Sequence, residues 1–504
     1  MFPNLPPYTE QTDQGRELAA QLGAAGGPLD AADNLTDPLQ SIINQPVFSP
    51  NNGDNASMTA GVTFIGQFLD HDITFDRRSQ IAALADPEKT ANFRSAAFDL
   101  DSLYGEGPQQ SPELYDQTGP TVKMRVEAIP GSENVSRGGA TRYDVPRDTL
   151  GNAIIGDSRN DEHVILSQFH LAMLRFHNTV TDRLQTLDTN QTRSPRELFS
   201  EAQRIVRWHY QWIILNEFLP LTIGQERVNE ILQQGPRFFQ TPTASGNGAR
   251  GRSGRGQNGG RSQAQQTSPQ LPIEFSVAAY RFGHSQVRPS YRLNFGADDD
   301  SQVFAFVLDN RVDPNATDPD DLRGGKRAPR RFVDWQTFFD FGDGSVRNNK
   351  LIDIKISSNL FDLPGSNVPA PGLPTDGVVS LASRNLIRHL NFGLPSGQSV
   401  AQTMGLPSLS ELDLNELAPF GMAQSTPLWV YILKEAEIME GGTRLGPVGA
   451  RIVGEVFIGL LQADQEAYLA ASPNWRPTLP SASGEGQFTI VDLLNLADVV
   501  PPLE

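Results

Sequence analysis

Asp70, His71 and Asp72 interrupt an otherwise apolar run of Phe64, Ile65, Phe68, Leu69, Ile73 and Phe75. Burying two carboxylates and an imidazole among such side chains costs several kcal/mol unless each finds a partner. An imidazole in an apolar helix is either a satisfied core histidine or a proton-transfer group that titrates near neutrality. Gln67, one turn earlier, adds a fourth polar side chain and favours a site.

Four further stretches carry residue types with chemistry. In "RSAAFDLDSLYG" (94–105), Asp99 and Asp101 alternate behind Ser95. Alternating carboxylates with a hydroxyl and backbone oxygens suit a calcium ion, which takes six to eight oxygens; they equally suit a plain turn. In "GDSRNDEH" (156–163), Arg159 and Glu162 stand at i, i+3, the spacing of a surface ion pair, at the head of a segment apolar nearly all round. In "SVAAYRFGHSQ" (276–286), Gly283 leaves room beside His284, and a neutral imidazole there is a candidate iron ligand. In "LASRNLIRHLNFGLPSGQ" (381–398), Asn385 could accept the other ring proton of such a histidine, and Arg388 could pair with a propionate.

These residues need rigid elements. Phe64, Gln67 and His71 fall at i, i+3, i+7, which predicts a helix over 63–75 with Asp70 and Asp72 turned about 100° to either side of His71. Residues 158–187 predict one long helix, opened by a box of Ser158 and Asp161. Helices are also expected over 196–219 and 449–470. Strand signals are short and sparse, so the fold class is mainly α, in a single domain spanning 1–504. Residues 1–60, rich in Pro, Asn and Gly, predict an extended arm wrapped over the body. Residues 244–270 ("ASGNGARGRSGRGQNGGRSQAQQTSPQ") predict a disordered Gly/Arg-rich insertion, whose Arg250, Arg252, Arg255 and Arg261 either touch an acidic partner or RNA, or simply solubilise a loop.

Bulk composition removes whole classes of function. The 504-residue chain has no cysteine, which excludes disulfides, thiolate catalysis and Cys-ligated metals. A net charge of −18 argues against nucleic acid or an anionic membrane as a partner of the whole body. No run of about 18 apolar residues predicts a transmembrane helix. The opening residues show neither a basic n-region nor an apolar h-region, which points to the cytosol.

Taken in order, "GQFLDHD", "FDLDSLYG", "GDSRNDEH", "YRFGHS" and "NLIRHLNFGLPSGQ" resemble the distal, calcium, arginine, proximal and post-proximal motifs of the animal-type haem peroxidases. This is the myeloperoxidase and lactoperoxidase family of the peroxidase–cyclooxygenase superfamily. The likeness runs from about residue 45 to the C-terminus. It implies a helical core around a buried haem b, and reduction of hydrogen peroxide through a ferryl intermediate. Halides, thiocyanate or phenols would be the reductants. It also implies a monomer, secretion and a part in the response to oxidative stress. His71 matches the distal histidine, Arg159 the distal arginine and Gln67 the glutamine bordering the halide site. His284 matches the proximal iron ligand and Asn385 its hydrogen-bond partner. Arg281 and Arg388 match residues near the propionates. Asp70 and Glu162 match the carboxylates that form haem esters in the mammalian enzymes. Asp72, Ser95, the Ala97 carbonyl, Asp99 and Asp101 match the calcium site.

The sequence departs from that pattern in places. Ile65 stands where the family often has Trp. His163 stands where myeloperoxidase has a methionine bonded to haem, so no sulfonium link is expected. The Gly/Arg insertion before the proximal segment is a further departure. A fatty-acid dioxygenase is the nearest rival, and it needs a tyrosine three residues before the proximal histidine. That position is Arg281; Tyr280, one residue off, should sit about 100° away from the cavity on a regular helix. A catalytically silent haem- or calcium-binding protein is the other rival, and the full set of His71, Arg159 and His284 argues against it.

Overall fold

The computed structural model describes the chain except residues 42–47, 76–91, 93, 120–121, 189–191, 241–270, 299–300, 364–377 and 502–504. The Gly/Arg insertion at 244–270 therefore lies outside the described residues. Helices take 45% of the residues and strands 8%, so the class is mainly α as expected. The strands among the described residues form three short antiparallel pairs: Asp54–Thr59 with Asn348–Lys350, Glu127–Ala128 with Tyr143–Asp144, and Ser290–Asn294 with Val303–Phe306.

The helix that carries His71 spans Gly61–Ile73. It is buried nearly all round, as its composition requires, with Phe64, Ile65, Phe68, Leu69 and Ile73 all within the core. Its first residue must be glycine for packing reasons: a Cβ on Gly61 would lie 2.2 Å from the ring of Phe339.

The expected 158–187 helix is instead two elements. Ser158–Asp161 is a 3-10 turn capped by Asp157, whose side chain accepts from the Arg159 N–H. His163 is extended, and the helix proper runs Val164–Leu187 with the His163 ring capping the Leu166 N–H at 3.2 Å. The break has a tertiary cause. The Glu162 carbonyl accepts from Gly324 N at 2.9 Å and Val164 N donates to the Leu322 carbonyl at 2.8 Å, which pulls 162–164 into a β-bridge and leaves the Ser158 box unmade.

The next helix, Pro195–Ile213, starts on the capping box of Ser194 and Glu197 and packs along Val164–Leu187. It continues through a π turn at Ile214–Phe218 into Leu219–Ile223. Pro220 has no N–H for the regular ladder, which accounts for the wider turn preceding it. The helix expected over 449–470 runs Pro447–Ala463 and stops where Asp464 turns its carboxylate onto the Glu466 N–H at 2.9 Å.

The first 60 residues are not simply an extended arm. Thr12 caps a helix over Asp13–Leu22 that buries Ala19 and Leu22 against the Leu381–Asn391 helix. Gly23 follows it because a Cβ there would sit 2.4 Å from Ser383 N. Segment 1–60 is thus tied directly to the helix that carries Asn385 and Arg388. One contiguous hydrophobic core runs from Phe2 to Ala497. No described helix is long and apolar enough to cross a membrane.

Candidate active site

Gln67, Asp70, His71, Arg159, Glu162, Arg281, His284, Asn385 and Arg388 all line one cavity of about 960 Å³, although they come from four separate stretches of chain. Val62, Phe218, Val277, Phe282, Val307, Leu360 and Phe392 supply apolar wall between them.

The three polar residues of the Gly61–Ile73 helix find three different surroundings, as the 100° steps predict. His71 is 5% exposed, and its Nδ1 lies 2.8 Å from Asn160 Oδ1. Its Nε2 has no hydrogen-bond partner among the described residues. Burial, reinforced by the Arg159 charge, pushes its pKa down to about 3, so the ring is neutral. Asp70 lines the cavity; burial pushes its carboxyl up, against the pull of Arg159 and Arg281. Asp72 points away from the cavity and accepts from Leu100 N at 3.2 Å, Ser102 Oγ at 3.1 Å and Tyr210 OH at 3.2 Å.

Arg159 is held by a partner that the motif reading did not single out. Asp157 accepts from its Nη2 at 2.7 Å and its Nε at 3.1 Å, and Nη2 also donates to the carbonyls of His71 and Thr74. The guanidinium stands 4.4 Å over the Phe75 ring. Its Nη1 has no hydrogen-bond partner among the described residues. Arg94 shares the same Asp157 carboxylate. Desolvation pushes Asp157 upward, and the Arg159 hydrogen bond and charge overcome it, holding the carboxyl well below its usual range.

Gln67 is fully engaged. His163 Nδ1 accepts the cap hydrogen bond, so its proton sits on Nε2, which lies 2.8 Å from Gln67 Oε1. Gln67 Nε2 then donates to Glu162 Oε2 at 3.2 Å. Burial pushes Glu162 up to about 7. His163, noted in the sequence only as a departure from the family, thus decides which way the Gln67 amide faces.

On the opposing segment, His284 lies in the short Gly283–Gln286 helix. A Cβ on Gly283 would meet nothing within 4 Å, which agrees with the expectation of room there. Burial pushes His284 down to about 3, keeping it neutral. Its Nδ1 faces Asn385 Nδ2 at 2.8 Å, while Asn385 Oδ1 accepts from Arg281 Nη1 at 3.2 Å. The expectation had Asn385 accepting the ring proton. The structure orients the amide the other way, because the Arg281 donor claims its oxygen.

Tyr280 overturns a geometric argument. It lines the cavity and donates to the Gly66 carbonyl at 3.0 Å. The 100° rotation assumed a regular α-helix, but Glu274–Ala278 is a π turn and Ala279–Phe282 a 3-10 turn. Ala278, at φ −126° and ψ −72°, breaks the helical phase between them.

Away from the cavity, carboxylate oxygens of Asp72, Asp99 and Asp101 lie within 4.8 Å of one another. Ser95 Oγ donates to Asp99 at 2.9 Å. Ala97 lies on the same loop, its N–H on the Ser95 carbonyl. Burial first, and then the neighbouring carboxylates, push Asp72 well up and Asp99 to about 6. Leu100, buried, holds a left-handed φ of 60° at the centre of this loop, a strained conformation for a branched side chain. Arg94 spans from Asp157 to Asp101 and so links this cluster to the cavity rim.

Asn160 and His170 lie directly behind the site, although neither was singled out. Asn160 Nδ2 stands 3.0 Å from His170 Nδ1, behind the ring of His71. The only sequence signals were a polar His170 inside an apolar helix and the place of Asn160 beside Arg159 in its motif.

The chain is similar to known proteins over most of its length. A family model described as animal haem peroxidase matches residues 75–465, more than half of the chain; His71 and Gln67 lie just before the match. Chorion peroxidase of Drosophila melanogaster is 28% identical over 330 residues, covering 62% of this chain and 34% of its own. Human myeloperoxidase is 24% identical over 330 residues, covering 62% and 37%. The chain thus spans about a third of the length of these relatives. Among solved structures, peroxidase A of Dictyostelium discoideum superimposes with a TM-score of 0.55 at 18% identity, covering 99% of this chain and 94% of the other. A fatty acid alpha-dioxygenase of Oryza sativa gives 0.58 at 13% identity, covering 92% and 75%. At such identities the two structures share the fold.

Proposed function

The chain belongs to the animal haem peroxidases, and from that premise we propose that it is a haem-dependent enzyme that reduces hydrogen peroxide and oxidises small donors. The observation that carries this reading is a pair of neutral imidazoles, the buried His71 and the half-buried His284, on a single cavity of about 960 Å³. The volume falls within the range of cofactor sites, and most of the wall is apolar, as a porphyrin requires. His284 would ligate the iron through Nε2 once the Asn385 amide turns so that its oxygen accepts the Nδ1 proton, Arg281 and Arg388 would hold the propionates, and Asp70 and Glu162 would face the ring edge as ester-forming carboxyls. Haem b, when bound, supplies the iron and the ring that take up the oxidising equivalents of peroxide.

The chain's own residues do the rest. Peroxide must lose a proton from one oxygen and gain one on the other before its O–O bond breaks. His71, neutral and with Nε2 unpaired, takes the first proton and returns it to the departing oxygen. Arg159 presents a cationic guanidinium, and its uncommitted Nη1 is available to the negative charge that builds there. Asp157 keeps that guanidinium in place. Removing such a donor costs roughly 3 kcal/mol of barrier.

Asp72, Asp99 and Asp101, with Ser95 and the Ala97 carbonyl, form the proposed calcium site. Three carboxylates that raise one another's proton affinity are a suitable donor set for a hard dication. Such a site would pin the helix that carries His71.

Haem reconstitution tests the reading. A Soret band, followed by turnover of guaiacol, bromide or thiocyanate with peroxide, is the expected result. Haem binding without turnover would favour the silent protein. A second reading, a fatty-acid dioxygenase, draws support from Tyr280 on the cavity wall. Oxygen uptake with linoleate, without added peroxide, would favour it.

A further inference from the structure

Behind the His71 ring lies a row of buried polar side chains with no part in the chemistry above. Asn160 and His170 are both fully buried. The row runs from His71 Nδ1 to Asn160 Oδ1 at 2.8 Å, and from Asn160 Nδ2 to His170 Nδ1 at 3.0 Å. An amide oxygen only accepts, so His71 Nδ1 carries the ring proton and Nε2 carries the lone pair. An amide NH2 only donates, so His170 Nδ1 is bare and its proton sits on Nε2. That Nε2 is buried with no partner among the described residues, and the ring edge abuts Phe68 at 6.1 Å.

An unpaired buried N–H is a standing cost. Core packing alone would be met better by an apolar side chain at 170, and a polar row that spans from the Ser158–Asp161 turn to the Val164–Leu187 helix needs a reason to be polar. We propose that Asn160 and His170 are positioning residues that hold His71 in the tautomer with a bare Nε2, the form able to take a proton from peroxide. This deepens the peroxidase reading of the same cavity and rests on it. The step balances without electron transfer. The peroxide O–H bond breaks, the proton forms a bond to Nε2, and the resulting imidazolium keeps its Nδ1–H on Asn160 Oδ1. The same proton leaves from Nε2 when the O–O bond opens.

Cyanide tests the tautomer without turnover. Hydrogen cyanide must give its proton to a base as the anion binds iron, whereas imidazole binds iron as a neutral molecule and needs no such base. In the haem-loaded protein, Asn160→Leu is expected to slow both cyanide association and the reaction with peroxide roughly tenfold or more, and to leave imidazole affinity unchanged. Asn160→Asp, whose carboxylate still accepts from Nδ1, should restore cyanide association. Nitrogen-15 spectra of the histidine-labelled ferrous carbonyl form should show His71 protonated at Nδ1 in the unmutated protein, a reading that needs no variant to fold. Unchanged cyanide association in Asn160→Leu, or a proton found on His71 Nε2, would overturn the proposal. Fast cyanide association with an Nδ1 proton, but no reaction with peroxide, would instead sink the peroxidase reading and leave the tautomer assignment standing.

Discussion

The phenol of Tyr280 donates to the Gly66 carbonyl at 3.0 Å, tying the proximal segment to the helix that carries His71. The Tyr280 ring stacks on Phe275 at 4.9 Å and touches Phe457 at 5.1 Å, so the bond joins two well-packed elements. If this tyrosine only braces the cavity, Tyr280→Phe should cost about 1 kcal/mol of stability and leave guaiacol turnover within about twofold of the parent. Oxygen consumption with linoleate is the discriminating measurement. Uptake that vanishes in Tyr280→Phe would assign the tyrosine to hydrogen abstraction.

Asp157, itself buried, is shared by two largely covered guanidinium groups, those of Arg159 and Arg94. Removing one partner of a buried ion pair leaves uncompensated charge and typically costs 3–5 kcal/mol, roughly. Asp157→Ala should therefore lower the unfolding midpoint in urea sharply. Asp157→Asn should be milder in stability, and it should slow the peroxide step because Arg159 loses its anchor. Stopped-flow mixing with peroxide, at matched haem content, checks the second half of this expectation.

Calcium should stabilise the fold through Asp72, Asp99 and Asp101. Ligand linkage gives about 2.7 kcal/mol at a hundredfold excess over the dissociation constant. Melting in calcium against melting in a chelator should show this gain, and Asp72→Asn should abolish it. Because Arg94 joins Asp101 to Asp157, the chelated protein should also react more slowly with peroxide. Identical melting curves with and without calcium would remove the site from the account.

Glu435 gives the molecule a pH dependence that is independent of the cavity. It is fully buried; burial pushes its carboxyl from 4.5 up to about 8, against the pull of the Gly449 and Val448 N–H groups. A folded pKa above the unfolded one means that the folded chain holds the extra proton. Its stabilising contribution is complete below about 4.5 and is lost as pH rises through 8. Over that window stability should fall by up to about 1.4 kcal/mol per pH unit. Glu435→Gln should flatten this slope, so that the variant is the more stable protein at pH 9. Urea titrations at pH 6 and pH 9 read the crossing directly.

The residue types and their order were legible without a structure, because each motif is local. Gln67 and His71 fall at i, i+4 on a helix whose apolar run announces it. Asp99 and Asp101 alternate within one loop, and Asn385 and Arg388 share a face of Leu381–Asn391. Periodicity reports what repeats every turn. It therefore put Gln67 and His71 on one helix and gave the mainly α class.

Partnership was not legible, because it is set by groups far apart in the chain. Asn160 reaches His71 across 89 positions, and His163 reaches Gln67 across 96. Arg281 decides which end of the Asn385 amide faces His284, across 104 positions. A hydrogen-bond donor turned toward a side chain fixes its amide orientation or its tautomer, and no local pattern records which donor arrives. Tyr280 shows the same limit in the backbone: a π turn followed by a 3-10 turn shifts the angular phase, and the tyrosine swings into the cavity. The sequence by itself determined which side chains are present and that one helix carries Gln67, Asp70, His71 and Asp72. Only the tertiary structure decided where each side chain points, because that depends on contacts between groups far apart in the chain.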